Sequence, residues 1–243
     1  MSDLSGKTTL VVGASRGLGR GIAGAIADVG SPVIALSRYD HLPARSDIRT
    51  EVADAADAAT AKRLLDRYEP AAVVLVAGAG PLIRPLHEQT WETFSVNWHA
   101  DVQIAFHWLR EALLRPLSPG SRVVVVSSGA ALAGSPLSGG YAGAKATQRL
   151  MTAYARDEAE RAGLAITFTA VLPRLTPLTA LGRPAVQAYA ARAGVPEEEY
   201  VRELGEPLTP EGAGAAVVEL LTADAATVAP AYLLSAAGLR QLP

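Results

Sequence analysis

The stretch TTLVVGASRGLGRGIAGAIADVG, residues 8–30, has the pattern of a strand, a tight turn and a helix. Residues 8–14, TTLVVGA, contain an apolar run and no charge, which predicts a buried strand. Residues 17–30 are predicted to be helical, with Gly30 as the end signal. The turn carries three glycines, and backbone N–H groups at the start of such a helix can face a pyrophosphate. These glycines are Gly13, Gly17 and Gly19.

Strand and helix patterns alternate along the rest of the chain. Further strands are predicted at 31–37, 47–52, 71–80, 121–129, 164–173 and 227–238, and further helices at 54–70, 90–116, 139–163 and 209–224. This order predicts an α/β fold, a Rossmann-like doubly wound parallel sheet with helices on both faces. No repeat or linker divides the chain, so we expect one domain over 1–243. Residues 173–184 are predicted to form a loop over a cleft, within a substrate-lid segment at about 174–208.

Composition excludes several classes of function. The chain has 243 residues, 49% of them hydrophobic and 19% charged, as in a globular protein. Its net charge is −2 and no Lys/Arg cluster stands out, so neither nucleic acid nor a membrane surface is an expected partner. It has no cysteine, and its four histidines lack metal-ligand spacing, so no metal site is expected. Without a signal peptide or a span-length apolar run, a cytoplasmic location is expected.

Tyr141 and Lys145 stand four residues apart in a predicted helix, so both side chains share one face. An ammonium ~5 Å from a phenol favours the phenolate by about 3 kcal/mol at an effective dielectric of ~20. This pair is therefore suited to general acid–base chemistry. Ser127 and Ser128 end the preceding strand, at the edge where open parallel sheets bind ligands. A hydroxyl there either holds a carbonyl oxygen or caps a turn.

The end of the second strand bears on the choice of cofactor. An NAD-binding chain has an acidic residue there, which accepts hydrogen bonds from the adenosine ribose. Here the strand ends in Ser37 and Arg38, and Arg16 lies within the glycine loop. Arginine suits a 2′-phosphate, so the sequence favours NADP(H). Asp40, close by, is the main argument for NAD(H).

Together these residues resemble the short-chain dehydrogenase/reductase family, in its short single-domain branch. The family pattern is a G-x-x-x-G-x-G loop, a serine thirteen residues before a tyrosine, and Y-x-x-x-K. Matching positions are Gly13, Gly17, Gly19, Ser128, Tyr141 and Lys145, and "SVNWHA" supplies the family's helical asparagine, Asn97.

The resemblance implies a role for each of these residues. Tyr141 is the general acid toward a ketone or the base toward an alcohol, and Ser128 polarises the substrate oxygen. Lys145 favours the phenolate and binds the nicotinamide ribose, and Asn97 holds a water that connects Lys145 to solvent. The expected cofactor site comprises Gly13, Ser15, Arg16, Gly17, Leu18, Gly19, Ser37, Arg38, Glu51, Val52, Ala77, Gly78, Asn97, Tyr141, Lys145 and Thr176.

The expected function is an NADP(H)-dependent oxidoreductase that interconverts a ketone or aldehyde and an alcohol. Its substrate is expected to be small and largely apolar, under a lid that includes Leu178, Leu181, Tyr189 and Tyr200. The resemblance also implies a homodimer or homotetramer, packed through helices 90–116 and 139–163. Two alternatives stay open: a catalytically silent, nucleotide-sensing protein of the same fold, and a nucleotide-sugar epimerase or dehydratase.

Three segments depart from the family pattern. Residues 77–80 read AGAG where the family usually has N-N-A-G. The segment between Arg38 and Glu51 is too short for the helix that the family fits there. Residues 173–179 read PRLTPLT, with Arg174 in place of a glycine and with Thr176 and Thr179 off the usual threonine spacing. Arg174 is either a solvated loop residue or a ligand for a substrate carboxylate.

Overall fold

The computed structural model describes residues 3–39 and 45–243. Within these residues one eight-stranded sheet runs in the order β3-β2-β1-β4-β5-β6-β7-β8. The strands are β1 Thr9–Val12, β2 Val33–Ser37, β3 Ile48–Val52, β4 Ala72–Leu75, β5 Arg122–Val126, β6 Thr167–Pro173, β7 Ala231–Ser235 and β8 Gly238–Leu242. The order reverses next to β1, and such a reversal opens a crevice at the carboxyl ends of the strands.

The helices are α1 Gly17–Asp28, α2 Ala58–Tyr68, α3 Trp91–Asn97, α4 Gln103–Leu114, α5 Ala130–Ala133, α6 Gly139–Arg161, α7 Gly182–Ala193, α8 Glu197–Leu204 and α9 Pro210–Thr222. Within the described ranges, none is long and apolar enough to cross a membrane. The same ranges hold no cluster of three or more metal-ligating side chains.

Each face of the sheet is covered by its own set of helices, because alternate strand residues point to opposite faces. One core joins α1 and α9 to residues such as Val11 and Val74. The other core joins α2, α4 and α6 to the neighbouring residues, such as Leu10 and Val73. The predicted doubly wound fold is thereby confirmed.

Three elements differ from the sequence-based expectation. β8 pairs antiparallel with β7, so the sheet is mostly parallel and not wholly so. The single helix predicted over 90–116 is divided into α3 and α4 by a π-helical turn, Trp98–Val102. The segment expected as a lid contains two helices, α7 and α8, after a short irregular stretch.

The predicted edge strand β3 is confirmed, and it follows β2 with no helix among the described residues between them. Asp40 lies in the part of this connection that is outside the described residues. Arg45, where the description resumes, pairs with Asp28 of α1 and with Asp47. This connection between β2 and β3 is therefore joined to the end of α1.

Candidate active site

A cavity of about 880 Å³ lies at the carboxyl ends of β1, β4, β5 and β6. It extends from the glycine loop after β1 to α7 and α8, in the segment expected to form a lid. Its lining includes the loop residues Gly13, Ser15, Arg16, Gly17, Leu18 and Gly19. This is the crevice where an open α/β sheet binds its ligands.

The glycine loop is shaped by backbone contacts that exclude side chains. Gly13 has a φ of +96°, and a Cβ there would lie 2.5 Å from the backbone nitrogen of Ala77. A Cβ on Gly19 would lie 2.1 Å from the carbonyl oxygen of Gly13. These close approaches bring the start of α1 against the turn, so its backbone N–H groups form one wall of the cavity. Such a cradle fits a dinucleotide pyrophosphate.

The end of β2 forms the next part of the cavity wall. Arg38 and Arg16 are both exposed and both line the cavity. Ser37 is buried, and its hydroxyl donates a hydrogen bond to the carbonyl oxygen of Tyr39. The two arginines predicted to hold a 2′-phosphate therefore border the same space as the glycine loop.

Glu51 and Val52 do not line this cavity, so the structure corrects their expected contact with the cofactor. The carboxylate of Glu51 accepts a hydrogen bond from Tyr68 and lies within ion-pair distance of three arginines outside the cavity. Val52 is 57% exposed. Ala53 and Asp54, which follow β3, line the cavity instead. β3 ends at Val52, as predicted, and the cavity meets the chain just beyond that end.

The two serines after β5 have different environments. Ser127 is buried, and its hydroxyl donates to the carbonyl oxygen of Lys145 at 2.7 Å, which holds α6 against β5. Ser128 is half-buried and lines the cavity, and its Oγ accepts a hydrogen bond from the N–H of Ala130 at 3.2 Å. Both serines line the cavity, but the Ser127 hydroxyl is engaged with the backbone of α6, which leaves the Ser128 hydroxyl as the one that a substrate can reach.

Tyr141 and Lys145 both line the cavity on the first turns of α6. The Lys145 ammonium lies 5.5 Å from the centre of the Tyr141 ring. The start of α6 packs closely against α3, because Gly140 faces the α3 backbone. A Cβ on Gly140 would lie 2.0 Å from the carbonyl oxygen of Phe94. The predicted shared face of the helix is confirmed.

Lys145 is almost completely enclosed, with 6% of its side chain exposed. Its Nζ donates to the side-chain oxygen of Gln148 at 3.0 Å and lies 2.9 Å from Oδ1 of Asp101. Burial disfavours the ammonium, but the charges of Asp101 and Tyr141 outweigh burial. The pKa of Lys145 is therefore raised above its ordinary value.

Asn97 is 1% exposed and does not line the cavity. It ends α3, and its side-chain nitrogen donates to the carbonyl oxygen of Ala79 at 2.7 Å and to Oδ2 of Asp101 at 3.1 Å. Asn97 therefore lies behind the wall of the cavity and not on its surface, where a cofactor would be in direct contact with it. Ala77 and Gly78 do line it, on the loop after β4.

Thr176 lines the cavity, but its hydroxyl donates to the carbonyl oxygen of Leu208 at 2.8 Å. Thr179 also lines it, and its methyl group is the nearest neighbour that a Cβ on Gly17 would meet, at 3.6 Å. Arg174 is exposed at the rim, after β6. The PRLTPLT segment therefore closes over the glycine loop.

The lid helices contribute aromatic side chains. Tyr189 and Tyr200 line the cavity and stack with ring centres 6.4 Å apart. The Tyr189 hydroxyl forms a hydrogen bond with Ser135, which ties α7 to the loop before α6. Burial, with the charges of Tyr189 and Glu203, raises the pKa of Tyr200. Leu181 lines the cavity too, whereas Leu178 lies outside its lining.

Comparison with known proteins decides the family. Residues 7–190 match the short chain dehydrogenase family. The chain belongs to this family. Short-chain dehydrogenases are oxidoreductases that use NAD(H) or NADP(H), and the cavity described above fits such a dinucleotide. The earlier resemblance is confirmed.

Three known short-chain dehydrogenases are similar over most of their lengths. D-beta-hydroxybutyrate dehydrogenase of Cupriavidus necator is 30% identical, over 92% of this chain and 93% of that one. The ligand-free aldohexose dehydrogenase of Thermoplasma acidophilum is 23% identical, with a TM-score of 0.78 over 95% of this chain and 92% of that one. A short chain dehydrogenase of Burkholderia cenocepacia in complex with NADP is 21% identical, with a TM-score of 0.77 over 96% and 89%.

The sequence analysis also missed Asp101, which lines the cavity. It lies on the π-helical turn, is fully buried and contacts both Asn97 and Lys145. Asn97 and Asp101 share one helix face at a spacing of four, and an acid four residues after the expected asparagine is the signal that could have found it.

Proposed function

We propose that this short-chain dehydrogenase is an NADP(H)-dependent enzyme that interconverts a small carbonyl compound and its alcohol. The observation that carries the proposal is that Ser128, Tyr141 and Lys145 line one cavity together with the glycine loop and with Arg16 and Arg38. Neither the phosphate cradle nor the acid–base pair alone points to this reaction, but one continuous cavity unites them.

A nicotinamide cofactor held by the glycine loop, Arg16 and Arg38 would supply the hydride needed to reduce a carbonyl carbon, which side chains cannot do. Ser128 donates a hydrogen bond to the carbonyl oxygen and orients it. The phenol of Tyr141 transfers its proton to that oxygen as negative charge develops, and the alcohol forms. In oxidation the phenolate takes the proton from the alcohol. Lys145 stabilises the phenolate that proton donation leaves behind.

The lid supports a largely apolar substrate with at least one polar anchor. Leu181, Tyr189 and Tyr200 present apolar and aromatic surface to the cavity. Arg174 at the rim is the group that would hold a substrate carboxylate. The name of the Cupriavidus necator relative, a D-beta-hydroxybutyrate dehydrogenase, indicates a carboxylate-bearing hydroxy acid as the substrate of that protein.

The preference for NADP(H) rests on Arg16 and Arg38. A guanidinium binds a 2′-phosphate through charge-assisted hydrogen bonds, which are worth about 1.5–3 kcal/mol each. Arg38→Ala is therefore expected to weaken NADPH binding roughly 10- to 100-fold and to leave NADH binding nearly unchanged. Titration of the protein with each cofactor, followed by nicotinamide fluorescence, measures both affinities.

Arg49→Ala is the matched control. Arg49 is also exposed, with a side-chain exposure of 59%, but it lies on β3 outside the cavity. Its removal should leave both affinities unchanged. NADH binding as tight as NADPH binding in the parent protein would contradict the preference. The enzyme itself is tested by turnover of a ketone panel, in which Tyr141→Phe should retain NADPH binding and lose activity.

A further inference from the structure

Asp101 is a buried carboxylate inside the candidate site for which the proposed reaction has no role. Its side chain is fully buried, on the π-helical turn between α3 and α4. Oδ2 accepts hydrogen bonds from the N–H of Ala79 at 2.9 Å and from Asn97 at 3.1 Å. Oδ1 faces the Lys145 ammonium at 2.9 Å. That contact is within ion-pair distance, and Oδ1 receives no hydrogen bond from the other described residues.

The departure at 77–80 makes room for this carboxylate. A Cβ on Gly78 would lie 2.5 Å from Oδ1 of Asp101 and 2.9 Å from its Cγ. Any residue larger than glycine would therefore displace the carboxylate from Lys145. The glycine at 78 and the acid at 101 are thus two parts of one arrangement.

The carboxylate links Asn97 to Lys145 directly, where the family resemblance implies a water. Gln148 strengthens the link, because its amide nitrogen donates to the backbone oxygen of Asp101 at 2.8 Å while its oxygen accepts from Lys145. Asp101 is therefore held by both its side chain and its backbone. The negative charge of Asp101 therefore keeps its position beside Lys145 while a proton moves at Tyr141.

We propose that Asp101 is a positioning residue that offsets the charge of Lys145 and so keeps the phenol of Tyr141 protonated, ready to donate to a carbonyl. An isolated ammonium favours the phenolate, whereas an ammonium paired with a carboxylate acts as a dipole with a weaker field. The direction of the raised pKa of Lys145 agrees with this pairing. The inference rests on the proposed function, and it adds a preference for reduction at neutral pH.

Asp101→Asn tests the inference, because it removes the charge and preserves the shape. The pH at which Tyr141 ionises is read from tyrosinate absorbance, as the difference between each protein and the same protein carrying Tyr141→Phe. Ionisation is expected to move down by about one pH unit in Asp101→Asn. The alkaline limit of the reduction rate should move by the same amount. An unchanged ionisation, with activity lowered equally at all pH values, would show a structural role and overturn the proposal.

Glu111→Gln is the matched control, since Glu111 lies on α4 and pairs with Arg110 and Arg115 outside the cavity. It should shift neither the ionisation nor the rate profile. The other titratable groups that line the cavity are common to all the variants compared: Arg16, Arg38, Asp54, His99, Arg174, Tyr189 and Tyr200.

Two further outcomes are informative. If Asp101→Asn does not fold, the parent protein and Tyr141→Phe still suffice, because ionisation of Tyr141 near neutral pH in the parent would overturn the proposal. The absorbance titration needs no turnover. If no carbonyl substrate is reduced, the proposed function fails, and the titration still decides whether Asp101 controls the phenol.

Discussion

Glu51 is a residue whose structural role replaces the binding role expected from its position. Its side chain is 12% exposed, and the hydrogen bond from Tyr68 is the main cause that lowers the pKa of Glu51. The charges of Arg67, Arg49 and Arg63 lower it further, against the effect of burial. A carboxylate with a lowered pKa stabilises the folded state above the ordinary glutamate pKa of 4.5, and this stabilisation is lost as the pH falls through the lowered value.

Glu51→Gln is therefore expected to lower the free energy of unfolding by about 1 kcal/mol at neutral pH. The difference from the parent should shrink as the pH falls below about 4.5, because the parent then loses the same charge. Urea unfolding at several pH values measures this. Glu206→Gln, at an exposed site after α8 and outside any helix, should match the parent throughout. A Glu51→Gln deficit that persists undiminished in acid would show that packing, and not charge, is responsible.

At the scale of elements, α1 and α9 pack through backbone contact. A Cβ on Gly21 would lie 2.1 Å from the carbonyl oxygen of Pro210, and one on Gly214 would lie 2.6 Å from the carbonyl oxygen of Gly21. These helices cover one face of the sheet below the glycine loop. Their spacing therefore positions the N-terminus of α1, on which the phosphate cradle depends.

Gly21→Ala should lower the free energy of unfolding by roughly 1–3 kcal/mol, as overpacking does, and should weaken NADPH binding by moving α1. Gly24→Ala, on the same helix, has open space within 4 Å of the new Cβ. It should be neutral or stabilising, because alanine favours a helix by about 1 kcal/mol over glycine. Thermal unfolding of the two variants gives the comparison. Equal melting temperatures would mean that α1 and α9 separate without cost.

The elements that the sequence predicted best are those with strong local signals. Apolar runs predicted β1 and β5, and the helical pattern at 209–224 predicted α9, which Thr209 caps by accepting the N–H of Gly212. β8 was missed because its residues, GLRQL, carry no apolar run and depend on pairing with β7. The π-helical turn was missed because the helical pattern runs through it without a break.

The same distinction applies to the site. Tyr141, Lys145 and Ser128 were found from spacing along the chain, and the structure places them on one cavity. The link between Gly78 and Asp101 joins residues 23 positions apart, through a contact that no local pattern encodes. Glu51 was misplaced because its carboxylate is engaged by Tyr68 and by arginines of α2, through contacts that no local pattern encodes.

At the scale of the whole molecule, α4 and α6 expose large apolar side chains on their outer surfaces. Phe106 is 50% exposed, Leu150 51% and Tyr154 58%. Leu150 and Tyr154, four residues apart on α6, share one face, and α4 packs beside α6. Clusters of exposed large apolar side chains mark protein interfaces. We propose that copies of the chain associate through this surface as a homodimer or homotetramer.

Leu150→Glu should then reduce the mass of the particle in light scattering after size exclusion, because burying a carboxylate in an apolar interface is costly. Leu178→Glu is the matched control, since Leu178 is also 50% exposed but lies in the loop before α7. It should leave the mass unchanged. The isolated Leu150→Glu protein should still bind NADPH, because the cavity and this surface share none of these three side chains. A parent protein that is monomeric would refute the association, and a multimer that resists Leu150→Glu would place the interface elsewhere.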